Sequence, residues 1–384
     1  MKPYPNLVAG VLEVLEKAFG KRLYADKVLQ QVLRANKKWG SRDRSFVAEH
    51  SYEMVRYWRL LWHLAEAEPS LKRKHLKRLF EVYWQWREDS RPIPEGLPLG
   101  IRESFPEWLD ELASAELGEA WPDIARALNQ PSHVVLRCNS LRGSRETVLE
   151  TLASEGIESS ISDVAPDALV LAKRPKLQRL NSFQDGLYEV QDGGSQCLAP
   201  YLDLKPGMKL LDGCSGAGGK ALHAAALMQN QGEILCMDVQ ERKLSELGKR
   251  AARNGVEIIR TELIRSAADV VKHEGWADAM LLDVPCSGTG VIRRDVDTKW
   301  KLKPEHLERT RALQRQILHE YPAALRSGGR LVYATCSILR SENEDQVADF
   351  MEAQGDAFEL LEQHRLSPSH PHSDGYFVAV FRKK

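Results

Sequence analysis

Lys209-Leu210-Leu211-Asp212-Gly213-Cys214-Ser215-Gly216-Ala217-Gly218-Gly219-Lys220 decides how this chain folds. A short apolar run ends on an aspartate, a glycine-rich turn follows, and the next residues open a helix. The pattern recurs downstream. Glu233-Ile234-Leu235-Cys236-Met237-Asp238 reads as a second strand, and residues 241–254 as the helix after it. Ala279-Met280-Leu281-Leu282-Asp283 is nearly all apolar, as a strand covered on both faces of a parallel sheet should be. Arg330-Leu331-Val332-Tyr333-Ala334-Thr335 is another strand. This alternation predicts an α/β, Rossmann-like domain over residues 196–384, with right-handed crossovers and helices on both faces.

Upstream the texture changes. His133-Val134-Val135-Leu136-Arg137-Cys138-Asn139 and Ala168-Leu169-Val170-Leu171-Ala172 read as strands, and residues 144–152 as a helix with Ser144 as N-cap. They predict a small α+β domain at 129–195. Residues 1–128 read as an all-helical domain. Leu7, Val11, Val14 and Leu15 fall on one face of the first helix. The Pro- and Gly-rich stretch 91–100 predicts a loop, and Pro106 and Pro122 stand where helices start.

A chain of 384 residues exceeds one ordinary core, so two or three domains are expected. With 43% apolar and 28% charged residues it has the balance of a globular protein, not of a disordered or fibrous one. No apolar run is long enough for a membrane span, and the first residues show no signal-peptide cleavage pattern, so a cytoplasmic location is expected. Six cysteines form no CxxC pair and no metal-ligand spacing with the eleven histidines, so neither a disulfide framework nor a metal site is expected. Cys138, Cys197 and Cys236 are read as small buried hydrophobes, and His370 and His372 as loop residues. The net charge is zero, but residues 1–90 carry 18 Lys/Arg against 11 Asp/Glu, clustered at 37–44 and 72–78. Solvated helix faces and phosphate binding both account for such clusters. Oligomeric state cannot be read from the sequence; a monomer is the default.

The residues 212–220 offer a tight turn, close backbone approach and the free N–H groups of a helix N-terminus. Asp238 ends the next strand, 18 residues after Lys220, where a carboxylate can bind both ribose hydroxyls of a nucleoside. NAD and SAM sites share this geometry. The plainer alternative is a simple strand–helix turn, with Asp238 capping the following helix. Two further strand ends carry cysteine: Asp283-Val284-Pro285-Cys286-Ser287-Gly288-Thr289-Gly290 and Thr335-Cys336-Ser337. Doubly wound sheets place their active sites at this C-terminal edge, so two cysteines there beside an aspartate predict a catalytic constellation.

From about residue 186 to 350 the sequence resembles the Sun/Fmu (RsmB/NOP-type) family of SAM-dependent RNA cytosine-5 methyltransferases. The family's D-x-C-A-A-P-G-G-K loop corresponds to Asp212 through Lys220, its D-x-P-C-S-G-x-G to Asp283 through Gly290, and its T-C-S to Thr335-Cys336-Ser337. Glu342-Asn343-Glu344 matches E-N-E, Asp374-Gly375-Tyr376-Phe377 matches D-G-F-F, and residues 294–300 match R-x-x-D-x-K-W loosely. Upstream, Trp39-Gly40-Ser41-Arg42-Asp43-Arg44 and Met54-Val55-Arg56-Tyr57 look like the NusB-type helical domain of bacterial members, which is associated with RNA.

The resemblance implies S-adenosyl-L-methionine (SAM) as cofactor, held by Cys214, Ser215, Gly216, Ala217, Gly218, Gly219, Lys220, Asp238 and Asp283. It implies Cys336 as nucleophile, Cys286 as an aid to product release, Asp283 as a contact to the cytosine, and Lys220 as the group that orients or balances charge. The chemistry explains the residue types. Carbon 5 of cytosine is too electron-poor to attack a methyl sulfonium until a thiolate adds at carbon 6 and turns the ring into an enamine. An acid near N3 helps that addition. The implied substrate is an unpaired or flipped cytosine, in ribosomal RNA first and transfer RNA second.

Two departures stand out. Ser215-Gly216-Ala217 replaces Ala-Ala-Pro, which predicts a more flexible loop and weaker SAM binding. The aspartate that binds adenine in the family, about 19 residues before Asp283, has no clean match at Leu263-Ile264-Arg265-Ser266, which leaves Glu262 or Asp269 as substitutes. Two competing readings are a DNA cytosine-5 methyltransferase with Cys286 as nucleophile and a non-catalytic RNA-binding or assembly factor with a decayed SAM pocket. The Thr-Cys-Ser with Glu-Asn-Glu, and the lack of an evident DNA-recognition domain, argue against the first. Retention of Asp283, Cys286 and Cys336 argues against the second.

Overall fold

A computed structural model describes residues 3–21, 23–88 and 92–384, which form two compact units. The first is helical and contains the described residues up to Gln130 together with Ile292–Pro304. Its main helices are Pro5–Gly20, Ala25–Ala35, Ser41–Arg56, Trp58–Leu64 and Arg73–Arg87. Leu7, Val11, Val14 and Leu15 are all buried, as their spacing predicts. Phe19 stacks on Trp58 with ring centroids 3.9 Å apart. Glu107–Leu117 and Trp121–Leu128 follow, each opened by a proline that loses nothing by lacking an N–H at a helix start. No helix among the described residues is long and apolar enough to cross a membrane.

The basic clusters of this unit divide. The Arg44 guanidinium donates to the Trp39 and Leu33 carbonyls, both at 3.0 Å, and so closes a turn. Lys72, Arg73, Lys74, Lys77 and Arg78 are exposed.

The sequence pattern places residues 292–304 inside the catalytic domain, yet they pack among the helices. Asp297 Oδ2 accepts from the Ala25 N–H at 2.8 Å, and Trp300 Nε1 donates to the Val55 carbonyl at 2.7 Å. Lys299 is fully buried; its Nζ donates to Asn129 Oδ1 at 3.2 Å and lies 4.3 Å from the Phe105 ring centre. Burial, followed by the charge on Arg56, pushes the Lys299 ammonium well below the usual lysine range. Satisfying a buried lysine and two backbone groups at such separations requires tertiary structure, so local pattern carries no trace of it.

The second unit comprises Pro131–Val291 and Glu305–Lys384 and holds two sheets. The small antiparallel sheet is built from β1 (Val134–Cys138), β2 (Ser159–Ile161), β3 (Ala168–Leu171) and β4 (Tyr188–Val190), ordered β2-β3-β1-β4. Its helix Arg145–Ser154 is capped by Ser144, whose hydroxyl accepts from the Thr147 N–H at 3.2 Å.

The large sheet contains β5 (Lys209–Asp212), β6 (Glu233–Asp238), β7 (Ile259–Leu263), β8 (Ala277–Asp283), β9 (Leu325–Thr335), β10 (Phe358–Leu366) and β11 (Tyr376–Lys383). The order is β10-β11-β9-β8-β5-β6-β7, with β5 through β9 parallel and β11 antiparallel to both of its neighbours. The chain winds from β5 outward to β7, then crosses back to β8. The strand order therefore reverses between β5 and β8, where an open α/β sheet has its binding crevice. Asp212 and Asp283 are the last residues of those two strands. The β10–β11 hairpin has no counterpart in the alternation read from sequence, because β10 is a polar, largely exposed edge strand and lacks a continuous apolar run.

Candidate active site

A cleft of about 580 Å³ opens at the β5/β8 switch point. On one side lies the turn after β5. Gly216 and Gly218 adopt φ of +55° and +83°, the left-handed region that glycine enters without strain. A Cβ on Gly218 would also come within 2.5 Å of Leu247 Cγ, so this glycine seats the loop on the helix Glu241–Asn254. Cys214, Ser215, Gly216, Ala217, Gly219, Lys220, Asp238 and Asp283 all line the cleft, whereas Gly218 is turned to that packing.

The loop is fastened more firmly than its Ser-Gly-Ala sequence suggests. Asp238 Oδ2 accepts from the Gly216 N–H at 3.0 Å and Ser215 Oγ donates to the Met237 carbonyl at 3.1 Å. Arg250 Nη1 donates to the Ala217 carbonyl at 2.7 Å, and Arg137 Nη1 to the Gly219 carbonyl at 2.6 Å. Arg137 comes from β1 of the small sheet and is almost wholly buried, which pulls its pKa down to about 10. Arg250 is paired with Glu189 of β4 at 3.0 Å. Sequence reasoning missed both arginines. Arg137 interrupts an apolar strand, which is the one local sign that its charge has a distant partner.

Asp238 also accepts from the Gln240 N–H at 2.8 Å, so it helps to start the following helix. Two backbone donors take two of the roughly four acceptor positions of a carboxylate. Neither proposed substitute for the adenine-binding aspartate reaches the cleft. Glu262 pairs with Lys272 and His273, Asp269 accepts the Arg265 and Ser266 N–H groups, and the cleft wall there is Ile264.

On the other side lie the two cysteine loops. Cys286 Sγ and Cys336 Sγ are 3.2 Å apart, and both residues line the cleft. Hydrogen bonding to Cys336, together with burial, pushes the Cys286 thiol well above the usual range, so Cys286 is held protonated. The two loops meet through backbone as well: the Gly290 N–H donates to the Cys336 carbonyl at 2.9 Å, and the Gly375 N–H to the Gly290 carbonyl at 2.9 Å. A Cβ on Gly290 would lie 2.1 Å from the Gly375 oxygen, so the last glycine of the 283–290 motif and the glycine of Asp374-Gly375-Tyr376-Phe377 are required by each other.

Lys220 joins the two sides. Its Nζ lies 2.6 Å from Asp283 Oδ2. Burial alone would lower its pKa, but Asp283 outweighs burial and raises it, so Lys220 remains a fixed cation. Asp212 behind it is pushed up to about 7 by burial and by the charge on Asp283. Among the described residues no group of three or more potential metal ligands occurs.

A nucleoside-sized, glycine-walled cleft at the switch point, with open space over Gly216 and a carboxylate at the end of β6, fits SAM. The fold and cleft define a nucleoside-cofactor site of the kind that SAM-dependent methyltransferases use.

Comparison with known proteins narrows this. The family described as 16S rRNA methyltransferase RsmB/F matches residues 199–382, and the ferredoxin-like domain of RsmF/B-like methyltransferases matches residues 105–178. The chain is 35% identical over 305 residues to a probable ribosomal RNA small subunit methyltransferase B of Bacillus subtilis (strain 168), covering 74% of this chain and 68% of that protein. It is 31% identical over 369 residues to the ribosomal RNA small subunit methyltransferase B of Proteus mirabilis (strain HI4320), covering 93% and 86%. A solved methyltransferase homolog protein from Pyrococcus horikoshii superposes with a TM-score of 0.65 at 26% identity, over 74% of this chain and 98% of that one. The chain belongs to the RsmB/F family of ribosomal RNA methyltransferases.

Proposed function

We propose that this protein methylates carbon 5 of a cytosine in small-subunit ribosomal RNA through a covalent adduct on Cys336. The 3.2 Å contact between Cys336 and Cys286, on the cleft wall beside Asp283 and Lys220, carries the proposal. Bound SAM would supply an electrophilic methyl group, with Asp238 on its ribose and the 214–220 loop around it. Cys336 adds to carbon 6 as thiolate, next to the fixed cation of Lys220. The proton released by the Cys336 thiol passes to N3, where the Asp283 carboxylate, oriented by Lys220, holds it and so offsets the charge that the addition puts on the ring; it returns to Cys336 when the product leaves. Carbon 5 is then nucleophilic and would take the methyl group from bound SAM, leaving S-adenosylhomocysteine. It next loses its proton to water, and the C6–S electron pair returns to Cys336. The Cys286 thiol, 3.2 Å from that sulfur, donates to the departing thiolate and stabilises it.

Three parts have distinct roles in this proposal: residues 196–291 and 305–384 carry the chemistry, 129–195 brace the cofactor loop, and the NusB-like residues 1–128, joined by 292–304, hold RNA. A groove of about 950 Å³ in the helical unit, walled by Arg73, Lys74 and Lys77 with Phe80 and Trp84, has the cationic and aromatic make-up for an RNA strand.

A denaturing gel tests the chemistry. Cys286→Ala protein incubated with SAM and small-subunit ribosomal RNA is expected to retain RNA covalently, and adding Cys336→Ala is expected to remove the adduct. The trapped nucleoside should carry a 5-methyl group. SAM turnover with methyl on another atom and no adduct would refute the cytosine-5 reading.

A further inference from the structure

Glu342 follows the Cys336 loop and is 0% exposed, yet both of its carboxylate oxygens serve the other cysteine loop. The Ser287 N–H donates to Oε1 at 2.8 Å, and the Ser287 hydroxyl to Oε2 at 2.5 Å. Ser287 is the residue next to Cys286. Gln314, also fully buried, donates to Glu342 Oε1 at 3.0 Å and to the Pro285 carbonyl at 2.9 Å, so Cys286 is bracketed on both sides. The carboxylate's own backbone is fixed by Tyr333 of β9, whose hydroxyl donates to the Glu342 carbonyl at 2.8 Å.

A hydroxyl chain completes the bracket. Thr289 Oγ1 lies 3.0 Å from Ser337 Oγ and accepts the Ile338 N–H at 3.1 Å, while Asn343 Nδ2 donates to the Ser337 carbonyl at 3.0 Å. Glu342 is thus the single charged group in a set of short buried bonds that ties residues 285–289 to residues 335–343. Buried carboxylates are costly unless fully bonded, so such a group is retained where it fixes geometry that uncharged residues would leave loose.

We propose that Glu342 is a positioning residue for product release, holding Cys286 against the Cys336 sulfur. The inference rests on the release role given to Cys286 above. Glu342 does not line the cleft; it acts through Ser287. Its negative charge also contributes to keeping the Cys286 thiol protonated, after the hydrogen bond to Cys336 and burial.

The variant Glu342→Gln keeps the size but has only one oxygen, so it cannot accept both bonds from Ser287. With SAM and ribosomal RNA it is expected to accumulate about tenfold more covalent adduct than the wild type and to lose about tenfold in kcat, while KM for SAM stays unchanged. Without substrate, its Cys286 should be alkylated by iodoacetamide at lower pH than in the wild type, read by peptide mass mapping. A folded Glu342→Gln protein with wild-type kcat, no added adduct and an unshifted Cys286 alkylation profile would overturn the proposal.

The Cys286→Ala control separates this from the underlying reading. If that control traps no adduct, the release role of Cys286 is wrong, and Glu342 is judged on the alkylation profile alone: a shift keeps it as the group that sets Cys286, and no shift removes it. Should Glu342→Gln fail to fold, Ser287→Ala is the gentler variant. It removes the partner of Oε2 and is expected to change adduct and alkylation in the same direction; wild-type behaviour in both readouts would refute the strap.

Discussion

The two sides of the cleft are held by different means. The cofactor loop is anchored from a distance: Arg137 arrives from the small sheet, Arg250 from a helix braced by Glu189, and the loop itself supplies mostly backbone carbonyls and glycines. The cysteine loops instead hold each other, through a buried network of hydroxyls, amides and one carboxylate that involves few residues outside them. The difference follows from what each side must do. A loop that wraps a cofactor needs an open inner face, so its supports attach from behind. Two sulfurs that must stay in contact at 3.2 Å need short bonds between the segments that carry them.

If this division is right, damage on one side should leave the other side's readout intact. The largest effect is expected from Cys336→Ala, which should lower methylation by at least about a thousandfold while SAM binding persists. Substantial residual methylation would remove Cys336 as the nucleophile. Asp238→Ala comes next. It should weaken SAM binding by about tenfold or more, measured by calorimetry, with RNA affinity little changed. Equal loss of both affinities would argue against a ribose role.

Arg250→Met should raise the KM for SAM by roughly threefold to tenfold and leave adduct formation at saturating SAM unaltered. If adduct formation also slows at saturation, the two sides are coupled and the contrast drawn above fails.

The smallest effect lies in the helical unit. Lys299→Met should leave that unit at least as stable, within about 1–2 kcal/mol, because the buried ammonium is a cost that a methionine of similar length does not carry. The pH dependence gives the sign. The folded lysine binds its proton less tightly than the unfolded one, so unfolding takes up protons. Wild-type stability should therefore rise with pH toward the ordinary lysine value of about 10.4, and Lys299→Met should lose that part of the rise. Identical pH profiles of Tm for the two proteins would show that Lys299 stays charged.

The sequence conveyed the catalytic fold where its elements are apolar and continuous. Strands β5 and β6 lie where Lys209 to Asp212 and Glu233 to Asp238 predict them, because a strand buried on both faces needs an unbroken apolar run. The polar edge strands β7 and β10 gave no such run. For the site, strand-end position and motif resemblance singled out Asp283, Cys286 and Cys336, and the structure gathers all three in one cleft. The supports stayed hidden for a physical reason. Arg137, Glu189 and Glu342 act across 82, 61 and 55 residues of sequence, and separation of that order leaves no periodic signal. Gly290 and Gly375 were both visible in motifs, but nothing in one dimension says that they touch.

The passage of the chain through the helical unit at Ile292–Pro304 gives that unit a segment borrowed from the middle of the catalytic sequence. Proteolysis makes the consequence concrete. A single cut near Gln130 would sever the N-terminal fragment covalently and still leave it bound, because Asp297, Lys299 and Trp300 of the other fragment are part of its interior. A protein expressed from Pro131 onward would carry those same three residues without their hosts, and would expose a buried lysine and a tryptophan to water. Separating the two units cleanly therefore takes two edits, one at each end of the borrowed segment, with a replacement loop between Val291 and Glu305.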